Sequence, residues 1–142
     1  MVKSSKINVG ITVGDPNGIG IEIILKSLSN FSLFHECNFI IYASTSLIEK
    51  QKQHFQIDTP PLKKIDSEED LSETQINVKE VFSNSQFNFG ESDKELSELG
   101  ILSLKEATKA IKDNKIDILV TAPINKDLSF SESFQYTGHT DF

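Results

Sequence analysis

Two kinds of segment in this chain combine residue types that could bind or transform a small polar ligand. The first spans residues 14–20 (GDPNGIG) and includes Asp15, Gly18 and Gly20. Glycines there permit positive φ angles and close approach of a ligand to the backbone. A helix that follows would offer an anion its free N–H groups and a partial positive charge. A tight turn that packs a strand against a helix explains the same residues without a ligand.

The second kind lies near the end of the sequence. Residues 121–126 (TAPINK) end in Lys126, whose ammonium group could meet a carboxylate or a phosphate. Residues 137–141 (TGHTD) place His139 and Thr140 together, and a histidine between hydroxyl groups can bind a polar substrate or relay a proton. A solvated lysine after a proline turn and a surface histidine are the structural alternatives.

Composition narrows the class of protein. The 142 residues carry a net charge of −7, which argues against a large nucleic-acid surface. No apolar run approaches the roughly 20 residues that cross a bilayer, so no membrane partner is expected. The single cysteine, Cys37, rules out an internal disulfide and fits a reducing compartment, so we expect the cytoplasm. His35 and His54 show no metal-ligand spacing, and we expect no complete metal site in this chain.

The elements that would position these residues alternate along the chain. Short runs rich in branched residues predict buried parallel strands at 7–13, 39–43 and 116–122, and an alternating run predicts another at 76–82. The double proline at residues 60–61 is expected to stop regular structure. Strand and helix alternate, which predicts an α/β fold with a largely parallel sheet and right-handed crossovers. We find no linker that would divide residues 1–142 into two domains.

Helices are predicted from apolar spacing and from capping residues. Isoleucine and leucine recur on one face over residues 21–28. Capping-box spacing predicts two further helix starts, at Ser46 with Glu49 and at Ser92 with Glu95. The second of these helices is expected to end near Asn114.

Three segments together resemble one family, the 4-hydroxythreonine-4-phosphate dehydrogenases. Residues 11–22 (ITVGDPNGIGIE) are similar to the opening motif of these enzymes. Residues 117–126 (DILVTAPINK) and 134–141 (FQYTGHTD) resemble two later motifs in the same order, and residues 90–112 resemble the helix before them. Ile21 stands where family members usually have proline, a small change in the first helical turn. The resemblance covers nearly the whole chain but only the N-terminal part of a family member.

The resemblance implies a fold like that of isocitrate and isopropylmalate dehydrogenases, with two α/β domains around a cleft. The chain is then the N-terminal part of such a dehydrogenase, truncated before the second domain is complete. The loop with Asp15, Gly18 and Gly20 would belong to the cleft together with Lys126, and His139 and Thr140 would contact substrate. No residue is assigned a catalytic role.

The implied reaction is the NAD-dependent oxidation of 4-phosphohydroxy-L-threonine to a 3-keto acid. This acid loses carbon dioxide to give 3-amino-2-oxopropyl phosphate in the synthesis of pyridoxal 5'-phosphate (vitamin B6). A divalent metal (Zn, Mg or Co) is implied, with its ligands beyond this chain, and so is a homodimer of the full-length enzyme. The fragment alone is expected to be inactive.

Two alternatives from other functional classes remain open on the sequence. One is a non-catalytic α/β fragment or binding module that keeps an anion-binding loop. The other is a phosphate acyltransferase, whose fold is related to that of these dehydrogenases.

Overall fold

The computed structural model describes residues 6–83 and 85–123. Within them lies a five-stranded sheet in the order β3-β4-β2-β1-β5, and every neighbouring pair of strands is parallel. The strands are β1 Ile7–Thr12, β2 Cys37–Ala43, β3 Leu62–Ile65, β4 Ile76–Glu80 and β5 Ile118–Thr121. The helices are α1 Gly20–Leu28, α2 Thr45–Phe55 and α3 Lys94–Lys112, with a 3-10 turn at Phe31–His35. The predicted parallel α/β fold is confirmed.

The sheet is covered on both faces by amphipathic helices. α1 and α2 pack on one face, where the apolar face predicted over residues 21–28 is buried. α3 packs on the other face, against β2 through Tyr42 and Ile40 and through its own Ala107 and Ala110. Alternate strand residues therefore enter two separate apolar clusters, which explains why β2 is apolar from Phe39 to Ala43.

Two of the predicted helix starts are displaced. α2 begins after Ser44, whose hydroxyl accepts from the N–H of Leu47, and not at Ser46. α3 is capped by Asp93, whose carboxylate accepts from the N–H of Leu96, and not by Ser92. In both places several neighbouring residues could cap a helix. The capping-box rule, which looks for a glutamate three residues after the cap, pointed to the wrong one.

The double proline lies in no helix or strand, as predicted, but the strand that follows it was not predicted. Regular structure resumes directly after it as β3, an edge strand that pairs only with β4 among the described residues. An edge strand tolerates a preceding proline, because the N–H group that proline lacks is not needed for hydrogen bonds to the neighbouring strand. α3 ends at Lys112 with Asp113 as its C-cap, and Asn114 follows with φ of 59°, so the expected C-cap is confirmed to within one residue.

The chain reverses its direction of travel across the sheet next to β1. The connection through α1 leads from β1 to β2 on one side, whereas the connection through α3 leads from β4 back past β1 to β5. The loops that follow β1 and β5 therefore start side by side at the carboxyl edge of the sheet. Open α/β sheets bind ligands at such switch points.

Candidate functional site

The loop of residues 14–20 connects β1 to α1 at this carboxyl edge. Its neighbour across the edge is the turn after β5, where the N–H of Asp15 approaches the carbonyl oxygen of Pro123 at 3.4 Å. Asp15, Gly18 and Gly20 thus lie at the switch point of the sheet. This is the place where α/β enzymes form their ligand-binding cleft. Their role in binding stays a prediction.

The glycines at the two ends of the loop are required by packing. Gly14 has φ of 68°, and a Cβ atom added to it would lie 2.0 Å from the carbonyl oxygen of Pro123. A Cβ atom on Gly20 would lie 2.6 Å from the carbonyl oxygen of Val13. Both distances are far below van der Waals contact, so the backbone itself excludes larger residues. At these two positions the packing explanation is sufficient without a ligand.

The Asp15 carboxylate is held by partners on the protein. Its Oδ1 atom accepts from the N–H of Asn17 at 2.9 Å, and its Oδ2 atom accepts from the Ser97 hydroxyl at 3.2 Å. Ser97 lies in the first turns of α3 and is buried. Asp15 therefore joins the loop to α3 and shapes the loop from within.

Asn17 is the residue of this loop that sequence reasoning missed. Its side chain is buried, and its Oδ1 atom accepts from the N–H of Asn88 at 2.6 Å. Its Nδ2 group donates to the carbonyl oxygen of Glu91 at 3.0 Å, and its own carbonyl oxygen accepts from the N–H of Gly90 at 3.1 Å. One asparagine thus fixes the segment that leads into α3.

Three residues of α3, each three positions apart, contact three successive residues of the chain leaving β1. Ser97 bonds to Asp15, and a Cβ atom on Gly100 would lie 2.5 Å from the carbonyl oxygen of Gly14. The Ser103 hydroxyl accepts from the N–H of Val13 at 3.2 Å and also donates to the carbonyl oxygen of Tyr42. The loop therefore runs antiparallel to α3, along one row of its small residues.

α2 supports the loop from the other side. The side chain of Gln51 is buried, and its Nε2 group donates to the carbonyl oxygen of Pro16 at 2.9 Å. Together, α2, α3 and the segment before α3 determine the course of the loop. No side chain caps the first turn of α1, whose N-cap residue is Ile19. That turn retains the donor groups and partial charge that suit an anion.

A polar cavity of about 650 Å³ lies beside the loop. Asn17 and Lys50, which lies on α2, line part of it. The acidic residues Asp93 and Glu95, at the start of α3, also line it. The remaining lining residues are Ser85, Gln86, Phe87, Asn88, Leu96 and Leu99.

The shifted pKa values belong to a buried group on the α3 face of the sheet. Burial raises the pKa of the Tyr42 hydroxyl far above its ordinary value, and the charge of Glu68 raises it further. Tyr42 donates to Glu68 at 3.0 Å, and Lys79 donates to both carboxylate oxygens of Glu68 at 3.0 Å. Burial raises the pKa of Glu68, but these hydrogen bonds outweigh it and the pKa falls below its ordinary value. This group attaches the loop after β3 to the sheet.

The other predicted site residues, Lys126, His139 and Thr140, lie outside the described residues. In the ranges 6–83 and 85–123, no group of three or more His, Cys, Asp or Glu side chains is arranged to hold a metal ion. The helices described there are all too short or too polar to span a membrane.

Comparison with known proteins identifies the family. The family model described as "Pyridoxal phosphate biosynthetic protein PdxA" matches residues 35–142. The chain belongs to this family. A 4-hydroxythreonine-4-phosphate dehydrogenase from Sulfurihydrogenibium sp. (strain YO3AOP1) is 33% identical over 136 residues, which cover 96% of this chain and 41% of that protein. A protein from Oceanobacillus iheyensis is 30% identical over 97% of this chain and 42% of its own length. Its name is that of a D-threonate 4-phosphate dehydrogenase.

Solved structures of this PdxA family share the fold. The 4-hydroxythreonine-4-phosphate dehydrogenase from Klebsiella pneumoniae matches with a TM-score of 0.80 and 26% identity over 96% of this chain and 42% of that one. The enzyme of the same name from Burkholderia phymatum matches with a TM-score of 0.84 at 24% identity, over 96% of this chain and 42% of that one. The chain thus spans about two fifths of the length of these relatives.

Proposed function

We propose that this chain forms the N-terminal part of an NAD-dependent dehydrogenase that oxidises 4-phosphohydroxy-L-threonine. The 3-keto acid product then loses carbon dioxide and yields 3-amino-2-oxopropyl phosphate, a step in pyridoxal 5'-phosphate synthesis. The active enzyme includes the further polypeptide that the relatives possess, acts as a homodimer and works in the cytoplasm. The observation that carries the proposal is the family match over residues 35–142.

The relatives' names support the class of substrate. One name gives 4-hydroxythreonine 4-phosphate and the other D-threonate 4-phosphate. Both compounds are four-carbon hydroxy acids with a phosphate on the fourth carbon. A site that takes either compound needs groups for a phosphate, a carboxylate and a hydroxyl that loses hydride.

The residues of this chain supply part of such a site. His139 and Thr140 contact the substrate by hydrogen bonding, and Lys126 pairs with one of its anionic groups. The loop with Asp15, Gly18 and Gly20 forms a rigid wall, because three elements hold it in place. The uncapped first turn of α1 fits an anionic group of the substrate or of NAD.

The cofactors supply the redox chemistry. When bound, NAD would accept the hydride, and a divalent metal held by residues beyond this chain would polarise the hydroxyl and the developing carbonyl group. The side chains of this chain would bind and orient the substrate.

D-threonate 4-phosphate is the second candidate substrate, because some relatives carry that name. It has a hydroxyl group where 4-phosphohydroxy-L-threonine has an amine. The two candidates are separated by offering each one, with NAD, to the protein expressed as far as its reading frame extends. We expect NADH production from the amino compound and its loss when a chelator removes the metal.

Two substitutions test the assigned contacts. His139→Asn and Thr140→Val are expected to reduce kcat/KM by about tenfold or more, since each removes a hydrogen bond worth roughly 1–3 kcal/mol at a polar substrate. His35→Asn is the matched control, because His35 is exposed on the 3-10 turn. An extended protein without turnover on either substrate would refute the proposal.

The alternatives predict different results. A non-catalytic binding module predicts a stop codon after Phe142 and a stable folded product. A phosphate acyltransferase predicts acyl phosphate formation from acyl-CoA.

A further inference from the structure

Three consecutive acidic residues lie in the connection between β3 and β4, and each pairs with a lysine of a different element. The pairs are Glu68 with Lys79 of β4 at 3.0 Å, Glu69 with Lys115 beyond α3 at 3.1 Å, and Asp70 with Lys63 of β3 at 3.4 Å. This connection is therefore attached to two strands and to the chain that follows α3.

The three ion pairs differ in burial. The side chains of Glu69 and Asp70 are 78% and 75% exposed, and exposed ion pairs contribute little to stability. The side chain of Glu68 is only 7% exposed. Among these pairs, the attachment of the connection therefore depends mainly on one buried carboxylate.

Three hydrogen bonds converge on the Glu68 carboxylate. The fully buried Tyr42 hydroxyl donates to its Oε2 atom, and the Lys79 ammonium group donates to both oxygens, each at 3.0 Å. All three contacts use the carboxylate as an acceptor. A proton on Glu68 adds a donor where donors already converge, and it removes the negative charge that pairs with Lys79. Protonation therefore breaks this arrangement of contacts.

The other charged groups beside Glu68 come from α3 and the turn after it. With Glu68 and Lys79 they line a cavity of about 200 Å³, and they are Glu106, Lys109, Asp113 and Lys115. These two lysines and two acidic residues offset each other's charge, so a neutral Glu68 leaves an excess of positive charge at Lys79. Burial, the charge of Glu68 and the charge of Glu106 raise the pKa of Tyr42, so this hydroxyl stays a neutral donor when Glu68 titrates.

Contacts on both sides limit the part of the connection that can move. Before the acidic residues, Ile65 is buried at the end of β3. After them, Leu71 packs against the apolar cluster below α3. The backbone N–H and carbonyl oxygen of Ser72 bond to the side chain of Asn77 on β4, at 2.8 and 3.0 Å. Residues 66–70 lie between these two anchors.

We propose that residues 66–70 form a latch that opens when Glu68 takes up a proton, while β2 and β4 stay folded. Burial works to raise the pKa of Glu68, but the hydrogen bonds from Lys79 and Tyr42 outweigh it, and the pKa lies below its ordinary value. The stabilisation is therefore complete above the unfolded pKa of about 4.3 and is lost as the pH falls through the folded value. The latch is closed at neutral pH, and its opening exposes the Tyr42 hydroxyl to water.

Nuclear magnetic relaxation of the isotope-labelled 142-residue chain, recorded from about pH 7 to about pH 3, tests the proposal. We expect the order parameters of the Ser67 and Asp70 N–H groups to fall from about 0.85 to below about 0.6 as the carboxyl carbon signal of Glu68 titrates. The N–H groups of Ile41 and Val78, which are partners in β2 and β4, should stay protected from hydrogen exchange.

Three results of this pH series would overturn the proposal. The first is order parameters that stay high after Glu68 is protonated. The second is loss of protection at Ile41 and Val78 at the same pH, which is global unfolding. The third is an opening that follows the carboxyl signal of Glu69 or Asp70 instead.

A pair of variants gives an independent test. Glu68→Gln is neutral at every pH and should lower the order parameters of Ser67 and Asp70 already at neutral pH. Glu69→Gln removes an exposed charge one position later and should leave them unchanged there. Equal behaviour of the two variants would contradict the proposal, and if Glu68→Gln does not fold, the pH series of the unaltered chain decides. None of these readings depends on turnover, so the latch and the proposed reaction fail separately.

Discussion

The substitution Gly100→Ala examines the contact between α3 and the loop of residues 14–20. In an ordinary helix this change stabilises a protein by roughly 1 kcal/mol, because glycine is a poor helix former. Here the new Cβ atom would lie 2.5 Å from the carbonyl oxygen of Gly14 and 2.7 Å from its carbonyl carbon. Both are backbone atoms, so no side chain can turn away to relieve the overlap.

The magnitude follows from these opposing effects. Overpacking in a well-packed interior costs about 1–3 kcal/mol, and contact with backbone places this case in the upper part of that range. After subtracting the gain in helix propensity, we expect a net loss of about 1–2 kcal/mol. With an m-value of about 2 kcal/mol per molar urea, the unfolding midpoint should fall by roughly 0.5–1 M.

Urea unfolding followed by far-ultraviolet circular dichroism measures this shift, since the chain contains no tryptophan. Thr108→Ala on the same helix is the control. Its hydroxyl donates to the carbonyl oxygen of Leu104 one turn earlier, so its removal should be neutral or stabilise by about 0.5 kcal/mol. A Gly100→Ala protein as stable as the original, or more stable, would refute the close approach of α3 to the loop.

Two further predictions concern buried polar contacts. Asn17→Ala removes two side-chain hydrogen bonds and should cost about 2 kcal/mol in urea unfolding, with faster hydrogen exchange at the N–H of Asn88. Glu68→Gln should cost about 1.5–3 kcal/mol, because Lys79 loses its charged acceptor. The pKa of Glu68 is lowered in the folded state, so its contribution is present above the unfolded pKa of about 4.3 and is lost as the pH falls through the folded value. The free energy of unfolding, measured at a series of acid pH values, should therefore fall less steeply with decreasing pH for Glu68→Gln than for the original protein.

A neighbouring exposed residue provides the control for each of these two substitutions. Asn88→Ala keeps the backbone N–H that Asn17 binds, so its stability should change by less than about 0.5 kcal/mol. Glu69→Gln alters an exposed carboxylate beside Glu68, which pairs with Lys115 at the surface, and should have a similarly small effect. Indistinguishable acid unfolding of the Glu68→Gln protein and the original would contradict the account of its pKa.

The sequence predicted β1, β2 and β4 because most of their residues are buried, on both faces of the sheet. β1, β2 and β4 consist of continuous or alternating apolar residues, and such patterns depend only on neighbours along the chain. β3 was not predicted because LKKI is too short and too polar to stand out after two prolines. Its strand conformation comes from pairing with β4, a contact that local pattern does not encode.

The loop of residues 14–20 was predicted in position but not in its attachments. Glycine spacing located it between a strand and a helix, which the structure confirms. The partners of the Asn17 side chain lie more than seventy positions away along the sequence, and Ser97, which binds Asp15, lies 82 positions from it. An asparagine in a loop carries no local mark of such contacts, so its structural role became visible only in the folded chain.

The contacts between α3 and the chain leaving β1 restrict the changes of length that this region tolerates. Ser97, Gly100 and Ser103 meet three successive residues in order. One inserted residue between Ser97 and Ser103 would rotate everything beyond it by about 100° around the helix axis. The contacts before and after the insertion could then no longer form together. Two turns of α3 and residues 13–15 must therefore keep a fixed number of residues, and at Gly14 and Gly100 the close approach of backbone also excludes any side chain.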